Sequence, residues 1–185
     1  MVSKLALPLW FLIVNAVIFQ AIWFLAILFG DSLVLLVVPF LLALNFYCLL
    51  RIYGQQVYLR NELLLVALCL LIGFFVELIK LQLGVWSAVV LNNVPPFWLM
   101  AIWAGFGITL HSSLSFLQGK VVLPAVLGLI LAPASYFAGA KLSASHELAG
   151  FQSLFIIAAL WFFVMPLLAY IAKQLPVQKT EGSQC

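Results

Sequence analysis

Long apolar runs separated by short polar breaks set the pattern along this chain. Six runs are long enough for a helix to cross a bilayer, which takes roughly 20 apolar residues. They cover about 5–29, 32–51, 62–80, 95–117, 120–140 and 151–173. The pattern predicts an all-α, polytopic membrane protein, a bundle of six transmembrane helices in a single domain over 1–173. The polar segment 174–185 is predicted to be a disordered cytoplasmic tail.

The breaks between the runs carry residues that end and start helices. Gly30-Asp31-Ser32 predicts a tight helical hairpin between the first two spans. Asn61-Glu62 is typical of a cap followed by a first-turn carboxylate, which would start the third span. Pro95-Pro96 would open the fourth span, where a missing N–H costs nothing. Gln118-Gly119 separates the fourth span from the fifth.

Composition removes several classes of function. Hydrophobic residues make up 67% of the chain and charged residues 7%, whereas soluble domains carry about 25% charged residues. The spans therefore leave no room for an extramembrane catalytic domain. A scattered net charge of +3 gives no indication of nucleic-acid binding. No CxxC, HExxH or Walker motif occurs in the sequence, so we expect neither a metal nor a cofactor.

Basic residues in the short loops predict the orientation. Six of them fall at the chain ends and in the even-numbered loops: Lys4, Arg51, Arg60, Lys120, Lys173 and Lys179. Only two, Lys80 and Lys141, fall on the other side. This distribution places both termini in the cytoplasm. The first apolar run is too long for a signal-peptide core and is interpreted as a retained helix.

Glu77 and Lys80 stand one helical turn apart at the end of the third span. Gly84 favours a helix end near Lys80, after which the segment 83–93 would lie along the outer interface with Trp86 as an aromatic anchor. In one interpretation the two charges form an exposed interfacial ion pair without chemical consequence. In the other they are buried and line a functional pocket.

Small residues in the fifth span, from Ala125 to Gly139, would let another backbone approach closely. Pro133 interrupts the helical hydrogen bonds within this seam, and a kink there would open a pocket beside Ser135 and Tyr136. Helix packing alone is the alternative interpretation. If the pocket exists, four residues would lie at a similar depth in the membrane and form one polar cluster: Glu77, Lys80, Tyr136 and Lys141.

The fourth span is the most polar and is expected to face other helices. Trp103, Gly107, His111 and Ser115 recur every four residues and would form one stripe of a continuous helix. His111 could carry a proton, or serve only as a packing and hydrogen-bonding residue. It would lie toward the cytoplasmic side, away from the outer cluster.

Further secondary candidates are hydroxyl and amide side chains. Ser113 follows His111 too closely to lie under its ring, since nearby helical positions diverge by about 100° per residue, so a serine hydrolase is not indicated. Asn15 and Gln20 in the first span are expected to form hydrogen bonds across helices. Ser135 in the fifth span is a candidate through its place beside the predicted kink.

Three stretches of the chain resemble a known family: VNAVIFQAIWFLAILFG, PPFWLMAIWAGFGITLHSSL and LAPASYFAGAKLSA. The family is a bacterial inner-membrane family catalogued as domain of unknown function 2878, and the resemblance covers most of the chain. Glu77 stands where that family tends to place an acidic residue. The chain departs from the family pattern at Ala132 and Ser143, where glycine is usual. The resemblance implies a multi-pass fold in the bacterial inner membrane and supplies no activity.

Three hypotheses for function follow. The first is binding or modification of a lipid-like molecule near the outer leaflet, to which the family's gene neighbourhood beside lipid-modifying enzymes also points. The second is a small-molecule transport component, a six-helix substrate-binding subunit that docks on an energising module. The third is a structural or accessory partner of a membrane enzyme. The expected partners are accordingly membrane lipid and, in the last two cases, another membrane protein.

Overall fold

A computed structural model of the chain describes residues 7–53, 56–87, 94–143 and 147–175. Within these ranges the protein is all-helical, apart from one isolated bridge between Trp86 and Leu148. The α-helices are α1 Leu9–Phe29, α2 Asp31–Tyr53, α3 Gln56–Gln82, α4 Phe97–Gly107, α5 Val122–Leu142 and α6 Gln152–Gln174. The predicted all-α membrane bundle is confirmed. Most of the predicted disordered tail, from residue 176 onward, lies outside the described residues.

Five of the helices, α1, α2, α3, α5 and α6, are long and apolar enough to cross a membrane. They contain 21 to 27 residues each. Helix α3 starts at Gln56, earlier than predicted, so Glu62 does not lie in its first turn and the predicted cap at Asn61-Glu62 is wrong. At Gly30 the predicted hairpin is confirmed, because this glycine has a φ of 58° and its N–H closes the last turn of α1 on Ala26.

Helix α4 is shorter than the predicted span. It has 11 residues, about 16 Å of rise, and its continuation consists of turns that lead into a 3₁₀-helix at Ser115–Leu117. The helical hydrogen bonds tighten where α4 ends: Thr109 donates its N–H to the carbonyl of Phe106 at 3.0 Å and its hydroxyl to the same oxygen at 2.6 Å. A threonine hydroxyl that binds nearby backbone competes with the helix, and the preceding Gly107 is a weak helix former.

The first part of the irregular segment after α4, residues 108–112, is buried, which is where a membrane protein tolerates such backbone. Side chains satisfy carbonyls that the helix no longer uses. Asn15 of α1 donates to the carbonyl of Ile108 at 3.0 Å, and Gln118 donates to that of Leu110 at 2.9 Å. The predicted stripe through Trp103 and His111 is therefore wrong, because only the first of the two lies on a helix.

Beyond the C-terminal end of α3, residues 85–87 pair with residues 147–153 instead of lying along the interface, while the rest of the predicted interfacial segment, 88–93, lies outside the described residues. The N–H of Ala149 donates to the carbonyl of Val85 at 3.0 Å, and the hydroxyl of Ser153 donates to the same carbonyl at 2.8 Å. Trp86 is only 5% exposed and packs edge-on against Trp98, with ring centroids 6.0 Å apart. The expectation that Trp86 is an interfacial anchor is wrong, because the loop before α6 draws it into the core.

Small residues let α5 approach its neighbours closely, as the sequence predicts. A Cβ placed on Gly128 would lie 2.3 Å from the carbonyl oxygen of Trp161 in α6. One placed on Gly139 would lie 2.9 Å from Cδ1 of Ile27 in α1. The small-residue seam is thus used for contacts within this chain. These contacts join α5 to α6 along one side and to α1 near the end that carries Trp86.

Candidate ligand-binding site

Glu77 and Lys80 form a buried ion pair near the end of α3. Their exposed fractions are 1% and 0%, and Nζ of Lys80 lies 2.5 Å from Oε1 of Glu77. The interpretation of these residues as an exposed interfacial pair is wrong. The three-residue spacing puts both side chains on one face of α3, toward α4 and α5.

Two further donors converge on the same carboxylate oxygen. Nε1 of Trp103 in α4 donates to Oε1 of Glu77 at 3.0 Å, and the hydroxyl of Tyr136 in α5 donates to it at 2.8 Å. The carboxylate is an acceptor only, so three donors on one oxygen match its chemistry. Because the only two charges in the cluster cancel, it presents no net charge to its surroundings.

Lys80 also contacts Tyr136 directly. Its ammonium donates a hydrogen bond to the Tyr136 hydroxyl oxygen and lies 4.0 Å from the centroid of the ring. A cation over an aromatic face is attracted by the ring quadrupole, and more strongly where water is excluded. The hydroxyl of Tyr136 is therefore held by two hydrogen bonds, one that it donates to the carboxylate and one that its oxygen accepts from the ammonium.

Gly73, four residues before Glu77 on α3, makes room for Trp103. A Cβ on this glycine would lie 2.3 Å from Cδ2 of the indole, a distance that real contacts do not reach. The absence of a side chain at Gly73 lets the Trp103 ring lie against α3 with its N–H at the carboxylate. Sequence reasoning missed this residue, although a lone glycine one turn before a charged residue in an apolar run was the available signal.

Lys141 does not join the cluster to which the sequence assigned it. Its side chain is exposed, and its Nζ lies 5.6 Å from the centroid of the Phe137 ring, in an open groove with Glu147. This part of the prediction is wrong. Ser135 is half-buried and lines a cavity beside the cluster.

That cavity has a volume of about 260 Å³ and lies between α1, α4, α5 and α6. It is partly open and almost wholly apolar. Of the six tryptophans in the chain, five line it: Trp23, Trp86, Trp98, Trp103 and Trp161. Tyr136 and Trp103 belong both to its wall and to the buried cluster, so the ion pair lies directly behind the wall.

Trp161 of α6 completes the wall next to Trp103. The two indoles stack with centroids 5.0 Å apart and an angle of 12° between their planes. Nε1 of Trp161 is buried and has no hydrogen-bond partner among the described residues. Sequence reasoning missed Trp161, because the part of α6 around it is apolar and gives no local sign of a site.

A second buried polar cluster, formed by Glu62 and His111, lies nearer the start of α3. Nδ1 of His111 forms a hydrogen bond of 3.0 Å with Oε1 of Glu62, and Nε2 lies 2.8 Å from the carbonyl oxygen of Ala172 in α6. Glu62 is 2% exposed and His111 7%. The 15 residues between Glu62 and Glu77 correspond to about 22 Å along α3. The structure therefore keeps His111 apart from the cavity cluster, as the sequence predicts.

Among the amide and hydroxyl candidates, Asn15 and Ser113 form hydrogen bonds between segments, whereas Gln20 is exposed. Asn15 donates to Oδ1 of Asn45 at 2.9 Å and accepts the hydroxyl proton of Ser113 at 2.7 Å. These contacts join α1, α2 and the segment after α4, which confirms the expected role of Asn15 across helices. Gln20 is exposed on the outer face of α1, so the same expectation is wrong for that residue. Within the described ranges, no three His, Cys, Asp or Glu side chains converge as a metal centre requires.

Comparison with known proteins gives one match. Residues 12–167, most of the chain, match the family model described as "Protein of unknown function (DUF2878)". No curated protein and no solved structure matches the chain. The match agrees with the family resemblance of the three sequence stretches.

Proposed function

The chain belongs to the DUF2878 family, whose function is unknown, and we propose that it binds a lipid-like molecule in the cavity beside Tyr136. The observation that carries the proposal is that an aromatic cavity and a buried ion pair share two side chains. Tyr136 and Trp103 contact both, so a molecule in the cavity would contact side chains that the charged cluster holds in place.

The lining of the cavity supports an apolar ligand. Its volume of about 260 Å³ lies just below the roughly 300–1,000 Å³ typical of ligand pockets and is enough for a short length of hydrocarbon chain. A strongly hydrated metabolite would lose its water there and find few polar groups in exchange. This argues against a binding subunit for water-soluble compounds.

The buried charges support a functional role over a purely structural one. Replacing a buried ion pair by apolar side chains of similar size is often neutral or stabilising, so packing alone does not require Glu77 and Lys80. Ionisable residues inside a membrane protein are rare and mark functional sites by default. Docking on another subunit through the α5 seam has less support, because Gly128 and Gly139 are already covered by Trp161 and Ile27.

The cavity is proposed to face the outer leaflet of the bacterial inner membrane. The cavity is lined by Trp86, Trp98 and Gly139 at the end of the bundle where α3 ends. The positive-inside distribution assigns that end to the non-cytoplasmic side and both termini to the cytoplasm. A ligand would then enter from the outer half of the bilayer.

Native mass spectrometry of the protein released from lipid nanodiscs tests the proposal. We expect one bound lipid to remain on the wild-type chain and to be lost from Ala132→Phe, which places a ring in the cavity that Ala132 lines. The matched control is Ala134→Phe, the same change at an exposed position of α5. Equal lipid retention in all three proteins, or retention of a water-soluble metabolite instead, would contradict the proposal.

A further inference from the structure

We propose that the cavity selects a ligand with an uncharged hydroxyl group, which accepts a hydrogen bond from Nε1 of Trp161 and donates one to the hydroxyl oxygen of Tyr136. This inference rests on the proposed function and narrows it from a lipid-like molecule to a lipid alcohol. It depends on the hydrogen-bonding capacity that the two side chains have left.

Trp161 contributes the donor. An indole N–H can donate but cannot accept, so its only partner is an acceptor. Nε1 of Trp161 is buried and has no such partner among the described residues, although the ring lines the cavity. A buried donor without an acceptor is unfavourable, and one acceptor atom on a ligand would relieve it.

Tyr136 contributes the acceptor. Its own proton is committed to Oε1 of Glu77, 2.8 Å away, and its oxygen already accepts one hydrogen bond from the Lys80 ammonium. A hydroxyl oxygen has two lone pairs, so one remains. Toward a ligand, Tyr136 can therefore accept a hydrogen bond but has no free O–H to donate one.

The two groups lie close together in the wall. Trp161 interacts with the side chain of Tyr136 without reaching hydrogen-bond geometry with it. A donor and an acceptor side by side match a group that accepts and donates through one atom, which is what a hydroxyl does. An ether or ester oxygen would satisfy Trp161 and leave Tyr136 unmatched.

Charge argues for an uncharged ligand group. Lys80, the cation behind the wall, is already paired with Glu77 at 2.5 Å, so no unpaired positive charge faces the cavity from this cluster. A phosphate or carboxylate would be desolvated there beside the Glu77 carboxylate without a counter-ion. A lipid alcohol has no such penalty.

Tryptophan fluorescence in the full chain measures the selectivity. A Trp10→Phe background removes the one tryptophan that does not line the cavity and is 53% exposed on α1. The probes are 6-bromohexan-1-ol and 1-bromo-6-methoxyhexane, added to protein in phosphatidylcholine nanodiscs, with bromine quenching as the readout and concentrations expressed per lipid. We expect the alcohol to half-saturate quenching at a concentration about three- to tenfold below the ether, the effect of one ordinary hydrogen bond.

Trp161→Phe in the same background keeps an aromatic ring and removes the N–H. Because the ether oxygen also accepts from Nε1 of Trp161, we expect this variant to raise the half-saturation concentrations of both probes by a similar factor, about three- to tenfold, and to leave the alcohol-to-ether ratio unchanged. Trp10→Phe alone is the matched control, since it is the same substitution outside the cavity. Circular dichroism of each variant verifies that the helices are retained. If Trp161→Phe does not fold, the alcohol-to-ether ratio of the background protein still decides the question.

The outcomes separate this inference from the proposed function. Saturable quenching by both probes at equal concentrations overturns the hydroxyl selectivity and leaves lipid binding intact. Unchanged half-saturation of both probes in Trp161→Phe overturns the assignment of Trp161 as the donor. If neither probe quenches saturably, both the selectivity and the proposed function are overturned.

Discussion

The hydroxyl of Tyr136 on α5 donates to Oε1 of Glu77 on α3 at 2.8 Å, although 59 residues separate them along the chain. This bond connects a buried charge to the wall of the cavity. Any movement of α5 that widened or narrowed the cavity would also change the contacts of the ion pair. Binding in the cavity and stability of the charged cluster are therefore expected to be coupled.

Loss of Lys80 alone should be strongly destabilising. Lys80→Met keeps the length of the side chain but leaves the Glu77 carboxylate buried without its cation, which typically costs about 3–5 kcal/mol. The expected result is a large drop in the midpoint of thermal unfolding in detergent, followed by circular dichroism.

Lys141→Met is the control for that measurement, because Lys141 carries the same charge on the same side of the bundle but is exposed. Its midpoint should stay at the wild-type value. Adding Glu77→Gln to Lys80→Met should recover part of the lost stability, since no charge is then stranded. Equal midpoints for Lys80→Met and Lys141→Met would mean that the pair is not buried.

The space at Gly73 should be required for the position of Trp103. In Gly73→Ala, the new methyl group would meet the indole at 2.3 Å, so the ring must move and its hydrogen bond to Glu77 must lengthen or break. Overpacking of this kind typically costs about 1–3 kcal/mol. We expect lower thermal stability together with a shifted tryptophan emission spectrum.

Gly150→Ala provides the comparison, because a Cβ there meets nothing within 4 Å. Neither stability nor emission should change in that variant. A Gly73→Ala protein with wild-type emission would show that Trp103 does not depend on the gap.

Helical periodicity explains which members of the site the sequence could predict. Glu77 and Lys80 share one face of α3, and the sequence also identified Tyr136 through its depth. Depth does not determine direction, however. Lys141 follows Tyr136 by five positions, a rotation of about 140° around the helix, so the two residues point to different sides of α5. The same offset separates the buried Asn15 from the exposed Gln20 on α1.

Two features of the structure, the end of α4 and the packing of Trp161, depend on tertiary contacts that a local sequence pattern cannot predict. The break in α4 depends on Asn15, which lies 93 positions before Ile108 and binds its carbonyl. In the sequence Trp161 is one of many apolar residues of α6. In the structure its indole stacks on that of Trp103 in α4, with ring centroids 5.0 Å apart. Both features arise from pairs of residues that no local window contains together.

The topology is tested by reporter fusions. Fusions of an alkaline-phosphatase reporter after Lys179 and between α2 and α3, at 54–55, should be inactive, because both positions are predicted to be cytoplasmic. A fusion in the 143–151 loop should be active, since that loop is assigned to the opposite side. Active enzyme at either of the first two positions would reverse the orientation and move the cavity to the inner leaflet.

His111 and Glu62 should stabilise the protein as a unit without affecting the cavity. Nε2 of His111 faces the carbonyl of Ala172, so it must carry a proton, and the short contact between Nδ1 and Glu62 then requires one further shared proton. His111→Leu removes the partner of a buried carboxyl group, and Glu62→Leu removes the partner of a buried ring nitrogen. Each change should cost about 1–3 kcal/mol.

The double variant should be more stable than the sum of the two single losses predicts, because neither partner is then left unmatched. The coupling from a double-mutant cycle is expected at about 0.5–3 kcal/mol, measured by unfolding in detergent. Half-saturation by 6-bromohexan-1-ol should be unchanged in the double variant, since about 22 Å of α3 separate this pair from Glu77. Strictly additive losses would show that the contact at 3.0 Å contributes nothing to stability. A weakened response to the alcohol would show that the two buried groups communicate through α3.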